Sequence, residues 1–404
     1  MDVTRGADIQ AVLSGRMSWH IETADVIDGL GRLSDNCIDC IVTSPPYYAL
    51  RDYNTPGQIG LESTVQQYVE RLVGVFAECK RVLKPSGTFW LVMGDSYSGS
   101  GKGRLASGLH AKNAGDKQWT NKGTVEGRIL TSRVRASAGG PGPKNLLGVP
   151  WRLAFALQDD GWTIRSDIIW HKTAPMTESV TDRCTSSHEH IFMFSKAKRY
   201  FFDAHAIAEP SVSKHGSGNG YKRSARLSYA DKNGPRGQSE PMVPTEYRNA
   251  RDVWTIGPDN FSGKHFATFP VLLPTRAISA GTSERGYCPA CGKPWRRVIE
   301  RTAHVNTREP AHVPGASATK TDSTGWAPRR RATDRWEPGC VCEAGEPVSG
   351  IVLDPFVGSG TSVLVALRLG RRGIGIDNNA EYADMARARI LGDAPLLNQQ
   401  EGVA

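Results

Sequence analysis

Ser44-Pro45-Pro46-Tyr47 combines residue types that together suit one kind of chemistry, the activation of an aromatic amino group. Such a group is a poor nucleophile because its lone pair is delocalised into the ring. A catalyst must weaken that delocalisation and aim the nitrogen at an electrophile. The Ser44 hydroxyl and the Pro45 carbonyl can accept the two amino hydrogens, the prolines hold that carbonyl rigidly, and Tyr47 offers a face for stacking. Attack would be direct, with positioning supplying much of the acceleration and no covalent enzyme intermediate.

A second constellation is Asp354-Pro355-Phe356-Val357-Gly358-Ser359-Gly360-Thr361, set where an apolar strand gives way to a helix. Gly358 and Gly360 permit a turn that brings backbone close to a ligand. Asp377, followed by Asn378, ends the next strand, where an acid can accept hydrogen bonds from both ribose hydroxyls of an adenosine. No Gly-Lys-Ser or Gly-Lys-Thr follows the turn and the full dinucleotide glycine pattern is missing, which argues against a P-loop. An adenosine carrying a cationic sulfonium in place of a pyrophosphate suits the acid at Asp354.

The third constellation is sulfur. Cys288-Pro289-Ala290-Cys291-Gly292 has the shape of a zinc knuckle, and Cys340-Val341-Cys342 can complete four thiolate ligands for a structural zinc, although its spacing is tighter than usual. Such a metal would hold a basic, irregular segment that buries little surface by itself. Four reduced surface cysteines are the plainer alternative. Cys37 and Cys40 share a C-x-x-C spacing but lie in or beside an apolar strand, so they read as packing residues. The wide scatter of all eight cysteines is unlike the dense framework of a small secreted domain, and stability should not depend on disulfides.

These residues need elements to position them. Apolar alternation predicts a strand over Trp19 to Thr23 ending near Asp25, a helix over Val26 to Leu33, and a strand over Asp39 to Thr43 that the two prolines stop. A helix carrying Val65, Val69, Leu72, Val73, Phe76 and Val82 follows, then a turn at Lys84 to Gly87 and a strand over Thr88 to Met93. A helix from Val149, a strand over Trp162 to Trp170 and a pair of strands at Glu189 to Ser195 and Arg199 to Phe202 continue the pattern. Residues 264–281 read as helical after Pro270. A closing β-α-β unit runs from Gly350 to Asp377. Strands alternating with helices imply an α/β layer fold with a mostly parallel sheet, whose ligands sit beyond the carboxyl ends of the strands.

Three stretches break the rhythm. Residues 99–145 are rich in Gly, Ser and Asn and carry nine Lys or Arg against two acids, the composition of a mobile basic insertion or a plain solvated loop. Residues 205–260 are basic with interspersed Tyr221, Tyr229 and Tyr247, and 284–347 holds the clustered cysteines and Arg329-Arg330-Arg331. The organisation read from this is a first core piece at 1–98, the insertion at 99–145, core again at 146–204, a candidate recognition region at 205–260, core at 261–283, the cysteine insertion at 284–347, and the cofactor half at 348–404. A formal charge of +9 and a pI near 9.1 over 404 residues favour a polyanionic partner, nucleic acid first. The opening MDVTRGADIQ has no apolar run behind a basic start, and no stretch approaches the roughly eighteen apolar residues of a membrane span. The expectation is a cytoplasmic, nucleoid-associated protein with no membrane.

Thr43-Ser44-Pro45-Pro46-Tyr47 together with the Asp354 to Thr361 turn resembles the DNA amino-methyltransferases, and the order of the two motifs resembles the permuted beta group of that family. The resemblance covers about Trp19 to Phe202 and Asp252 to Leu391. It implies a Rossmann-like S-adenosylmethionine-dependent methyltransferase fold, circularly permuted, with a mostly parallel seven-stranded sheet and one antiparallel strand. It implies S-adenosylmethionine as methyl donor, double-stranded DNA as partner, and target recognition by 205–260. By the same resemblance His265, Phe266 and Thr268 touch the methionine end of the cofactor and Asp25 approaches its adenine; capping and core packing are their plainer uses. Asp182, Arg183, Ser187 and Glu189 match a stretch near the target-base pocket.

Ser44 stands where many adenine enzymes of this family carry Asp, which favours cytosine N4 over adenine N6. Methylation at cytosine carbon five would need a thiolate, usually after a proline, and no Pro-Cys pair is present. The target atom is inaccessible in a duplex, so the base must be flipped into the Ser44 to Tyr47 cleft. A catalytically inactive, zinc-stabilised DNA-binding protein is the rival of another class. A cognate restriction enzyme would suit such a protein, and both a monomer and a homodimer are open.

Overall fold

A computed structural model of the chain describes residues 3–52, 55–98, 128–129, 141–175, 177–211, 247–259, 269–302, 329–343 and 345–393. The elements follow in chain order. They begin α1 (Val3–Leu13), β1 (Trp19–Thr23), α2 (Val26–Gly31), β2 (Ile38–Thr43), β3 (Arg51–Asp52), α3 (Val65–Val82), β4 (Leu83–Met93) and β5 (Arg128–Ile129). Next come α4 (Val149–Asp159), β6 (Thr163–Lys172), β7 (His188–Ser195), β8 (Glu209–Pro210), β9 (Tyr247–Arg248), β10 (Val253–Ile256) and α5 (Leu272–Gly281). The chain closes with β11 (Arg296–Thr302), β12 (Arg329–Glu337), β13 (Ile351–Asp354), α6 (Thr361–Arg368), β14 (Arg372–Asp377) and α7 (Ala380–Asp393).

One sheet dominates, in the order β1-β14-β13-β2-β4-β7-β6-β10. Every neighbouring pair is parallel except β4 with β7 and β7 with β6, so β7 is the single antiparallel strand. The sheet has eight strands where seven were expected. The additional one, β10, is a short edge strand whose Val253 and Thr255 are exposed, so its four residues give little apolar signal. Residues 199–202 form no strand: Phe201 donates its N–H to Ser86 O and Asp203 to Ala280 O, partners outside any ladder. The turn expected at Lys84 to Gly87 lies inside β4, as a bulge between the pairings of Ile38 with Leu83 and Cys40 with Thr88.

Burial follows the period of two along the central strands, with Ile38 of β2 out of phase across the bulge that separates it from Cys40. Phe89, Leu91 and Met93 of β4 join Ile38 and Ile41 of β2 in the core under α1 to α4, while Trp90 and Val92 face the core under α5 and α6 with Cys40 and Val42. All six residues of β2 are buried, as a strand covered on both faces requires. Helix α3 buries Tyr68, Val69, Leu72, Val75, Phe76, Cys79 and Val82. At about 2 kcal/mol for each large apolar side chain, that stripe outweighs the Thr64 cap at about 1 kcal/mol, so packing rather than capping places the helix.

All eight cysteines are free. Cys40 is fully buried and burial pushes its thiol up to about 12, in keeping with a packing role. Among the described residues no helix is long and apolar enough to cross a membrane. Most of 99–145 and 205–260, and the three positions His265, Phe266 and Thr268, lie outside the described residues.

Candidate active site

Strands β2 and β13 are adjacent and parallel, with Val352 beside Cys40 and Leu353 beside Ile41. Their carboxyl ends therefore open on the same edge, and each passes at once into one of the two motifs. A cavity of about 380 Å³ lies beyond them, lined by Ser44, Pro45, Pro46 and Tyr47 on one side and by Pro355, Phe356, Val357, Gly358, Ser359 and Thr361 on the other. Asp25, Asp377 and Asn378 line it as well.

On the Ser44 side a chain of polar groups runs inward. The Ser44 hydroxyl donates to Tyr47 Oη at 3.4 Å, Tyr47 Oη donates to Glu189 Oε2 at 2.7 Å, and the Lys172 ammonium pairs with Glu189 Oε1. Burial, and next the nearby Glu189 charge, hold the Tyr47 phenol well above its ordinary range, so it stays a neutral donor. Lys172 also sits 4.8 Å from the Trp170 ring centre, on the last residues of β6. The Pro46 carbonyl accepts from Tyr68 Oη at 2.7 Å, which ties the motif to α3. Gly94 leaves the space that the Tyr47 ring fills, since a Cβ there would stand 2.7 Å from Tyr47 Cε2.

On the other side Gly360, at φ 80°, caps α6 in the left-handed region that glycine occupies without strain. A Cβ on it would also lie 3.0 Å from Ala386 Cβ of α7. Arg389 of α7 braces the turn, donating to Ser359 O, Ser359 Oγ and Thr361 Oγ1 at 3.1, 3.1 and 2.8 Å. Asp377 accepts the Gly358 N–H on Oδ2 at 2.9 Å and the Asn379 N–H on Oδ1 at 2.8 Å. Each carboxylate oxygen keeps a further lone pair for a ligand hydroxyl. Burial raises the Asp377 carboxyl to about 6. Asp25 caps α2, accepting from the Ile27 N–H at 2.9 Å, and it also lines the cavity.

Two expected ligand residues sit elsewhere. Asp354 is 1% exposed and absent from the cavity wall; its carboxylate accepts from Thr43 Oγ1 at 2.6 Å, from the Phe356 N–H at 3.1 Å and from the Ser362 hydroxyl. It ties the two motifs together from behind, because a carboxylate at the very end of a buried strand finds local donors before it reaches a cavity. Gly360 likewise serves by its backbone shape rather than as part of the lining. Of the residues matched to a base pocket only Glu189 lines the cavity. Asp182 pairs with Lys144 at the surface, Arg183 pairs with Glu178 over the Tyr97 ring, and the Ser187 carbonyl accepts from the Lys172 N–H.

Other lining residues escaped the sequence reading: Lys172, Trp170, Gln58, Asn379 and Tyr382. Alternation through the end of β6 could have flagged Trp170 and Lys172 as sharing a face. Asn379 carries the helix-start signal of an N-cap, its Oδ1 accepting from the Glu381 N–H at 2.9 Å. The four cysteines of the third constellation also meet, with their sulfurs within 4.8 Å of one another.

The fold and this cavity define a class: an α/β protein whose small-molecule turn and Ser-Pro-Pro-Tyr segment share one cleft. The family model described as DNA methylase, that of the N6 and N4 methyltransferases, matches residues 38–288 and 340–388. The chain belongs to this family of DNA methyltransferases. It is 34% identical over 379 residues to the Type II methyltransferase M.SmaI of Serratia marcescens, covering 94% of this chain and 92% of that one. It is 35% identical over 368 residues to M.XycI of Xanthomonas campestris pv. cyanopsidis, covering 91% and 86%. The solved PvuII DNA methyltransferase (cytosine-N4-specific) aligns over 95% of this chain and 94% of its own at 15% identity and a TM-score of 0.49, a likeness too loose to carry an argument.

Proposed function

We propose that this chain transfers the methyl group of S-adenosylmethionine to the exocyclic N4 amino group of cytosine at a specific site in duplex DNA. The observation that carries the reading is the placement of a serine hydroxyl, Ser44 Oγ, in one cavity with the Gly358 turn, its proton directed to Tyr47. The fit to an adenosine ligand rests on the cavity itself. Its size falls within the roughly 300–1,000 Å³ of small-molecule sites, its apolar lining includes Phe356 and Val357, and Asp377 supplies acceptors at the strand end.

S-adenosylmethionine supplies an electrophilic methyl group when bound. The chain's own residues prepare the nucleophile. Because the Ser44 hydrogen points to Tyr47 and the Tyr47 hydrogen to Glu189, the Ser44 oxygen presents lone pairs to the amino group. The Pro46 carbonyl is taken by Tyr68, which leaves the Pro45 carbonyl as the second acceptor. Both draw positive charge away from the nitrogen as it develops. The recess admits a base only after it leaves the stack, at a cost of roughly a few kcal/mol. Basic stretches of this +9 chain hold the phosphates, and 205–260 reads base edges.

The likeness to Type II methyltransferases supports site-specific DNA modification. A cognate restriction enzyme and a place in the cytoplasm beside the nucleoid belong to the same proposal. The test is incubation of mixed duplex DNA with labelled S-adenosylmethionine, then digestion and mass spectrometry of the nucleosides. N4-methylcytosine is the expected product; N6-methyladenine would overturn the choice of base, and no labelled nucleoside would overturn the activity. Ser44→Ala should lower turnover by roughly 10²-fold with cofactor affinity kept, as for removal of one group that stabilises developing charge.

A further inference from the structure

We infer that Cys288, Cys291, Cys340 and Cys342 form a structural zinc site that staples the two ends of the 284–347 insertion to each other and to the sheet. The four sulfurs lie within 4.8 Å of one another. In a tetrahedral tetrathiolate with Zn–S near 2.3 Å, sulfurs stand about 3.8 Å apart, so the four need only small side-chain rotations to close on an ion. The first pair sits on a tight turn in which Gly292 N–H donates to Cys288 O and Cys288 N–H donates to Lys293 O, both at 2.8 Å. That turn aims both thiols to one side. The second pair reaches the same spot from either side of Val341, which is fully exposed.

The site stands where the insertion leaves and rejoins the core. Tyr287 forms bridges with Val348 and with Pro294, and its ring is buried against Lys84, 5.0 Å from the ammonium. From there β11 and β12 pair as an antiparallel hairpin between the two cysteine pairs. The hairpin meets the core through Arg297, which lies on Trp336 at 4.4 Å and pairs with Asp203 at 3.0 Å and Glu284 at 2.6 Å. A hairpin of two strands is marginal in water by itself, and among its described side chains none is fully buried. Cysteine pairs that flank such an element at its base close it at the one point where cross-linking restrains both strands. The family match covers 38–288 and 340–388, so Cys288, Cys340 and Cys342 lie within the matched residues and Cys291 just beyond, which puts the site at the seam where the arm leaves and rejoins the core.

Binding forms four Zn–S bonds and releases the thiol protons, with no oxidant or reductant needed. A tetrahedral all-sulfur set suits zinc or iron, and the two are separable by elemental analysis. The test is mass-spectrometric metal analysis of the full-length protein purified without chelator, with thiol titration and limited proteolysis before and after chelation. One zinc per chain is expected, lost in Cys288→Ser and also in Cys342→Ser, whose exposed position makes misfolding an unneeded explanation. Chelation should speed cleavage within 284–347 by tenfold or more, and added zinc should restore protection. Protein with no metal, iron in place of zinc, a disulfide among the four, or cleavage indifferent to chelation would overturn the inference. None of these readouts depends on the reaction or the base proposed above.

Discussion

Thr43 Oγ1 donates a 2.6 Å hydrogen bond to Asp354 Oδ1 across 311 residues of chain, joining the last residue of β2 to the last residue of β13. This buried contact sets the Ser44 segment and the glycine turn side by side. Its partner Asp354 carries a carboxyl that burial raises to about 6, with Ser362 and Thr43 holding it below what burial alone would give.

Thr43→Val keeps the shape and removes the donor. A buried acceptor left short of a partner costs about 1–3 kcal/mol. Urea denaturation should show a loss in that range, and cofactor affinity and turnover should fall together, in contrast to Ser44→Ala. Unchanged stability would show that the contact is incidental.

Tyr47→Phe keeps the ring and breaks the Ser44-Tyr47-Glu189 chain. With no phenol oxygen to receive its proton, the Ser44 hydroxyl loses its fixed direction. Turnover should fall about tenfold in single-turnover kinetics, while the equilibrium affinity for S-adenosylmethionine stays within twofold, as removal of one modest hydrogen bond implies. Glu189→Gln should act in the same direction.

On the proposed reading, Asp377 should couple cofactor affinity to pH. Its folded carboxyl sits near 6 against an ordinary 3.8, so the folded chain takes up the proton first as pH falls. For the free protein this group opposes folding above pH 6, and the penalty is relieved between 6 and 3.8. Cofactor binding runs the other way, because protonation removes acceptors: affinity should weaken about tenfold for each pH unit below 6, and Asp377→Asn should bind weakly with a flat profile. Calorimetric titration across this range checks both arms.

Gly360→Ala forces a side chain into a left-handed position and against Ala386. The backbone term alone is about 1–2 kcal/mol. Thermal unfolding should register that loss. Because the turn lines the side of the cavity proposed for the cofactor, affinity for S-adenosylmethionine should fall more than affinity for duplex DNA.

Much of the site could be read in advance because its signals are local. Two prolines end β2 at Ser44, two glycines turn the chain after β13, and four cysteines stand as two close pairs, one of them in knuckle spacing. Asp354 was misplaced because a residue type says nothing about which donors lie nearest: Thr43 and Ser362 claim its oxygens before any ligand can. Lys172 and Glu189 were harder still, since their meeting depends on β6 and β7 pairing antiparallel with Trp170 opposite Glu189. Strand β10 was missed because its two exposed residues left no run of apolar character.

The order and types of residues by themselves determined the alternation of strands and helices, the stop of β2 at Ser44-Pro45-Pro46-Tyr47, the tight turn at Gly358 and the thiol-rich insertion. Only the tertiary structure decided that β2 and β13 lie side by side, that Asp354 faces inward while Asp377 faces the cavity, and that Glu189 orients Tyr47. The division has a physical cause. Turns and strand ends obey the backbone limits of a few neighbouring residues, whereas strand neighbours and side-chain partners are selected by burial across hundreds of residues, where local propensity has no say.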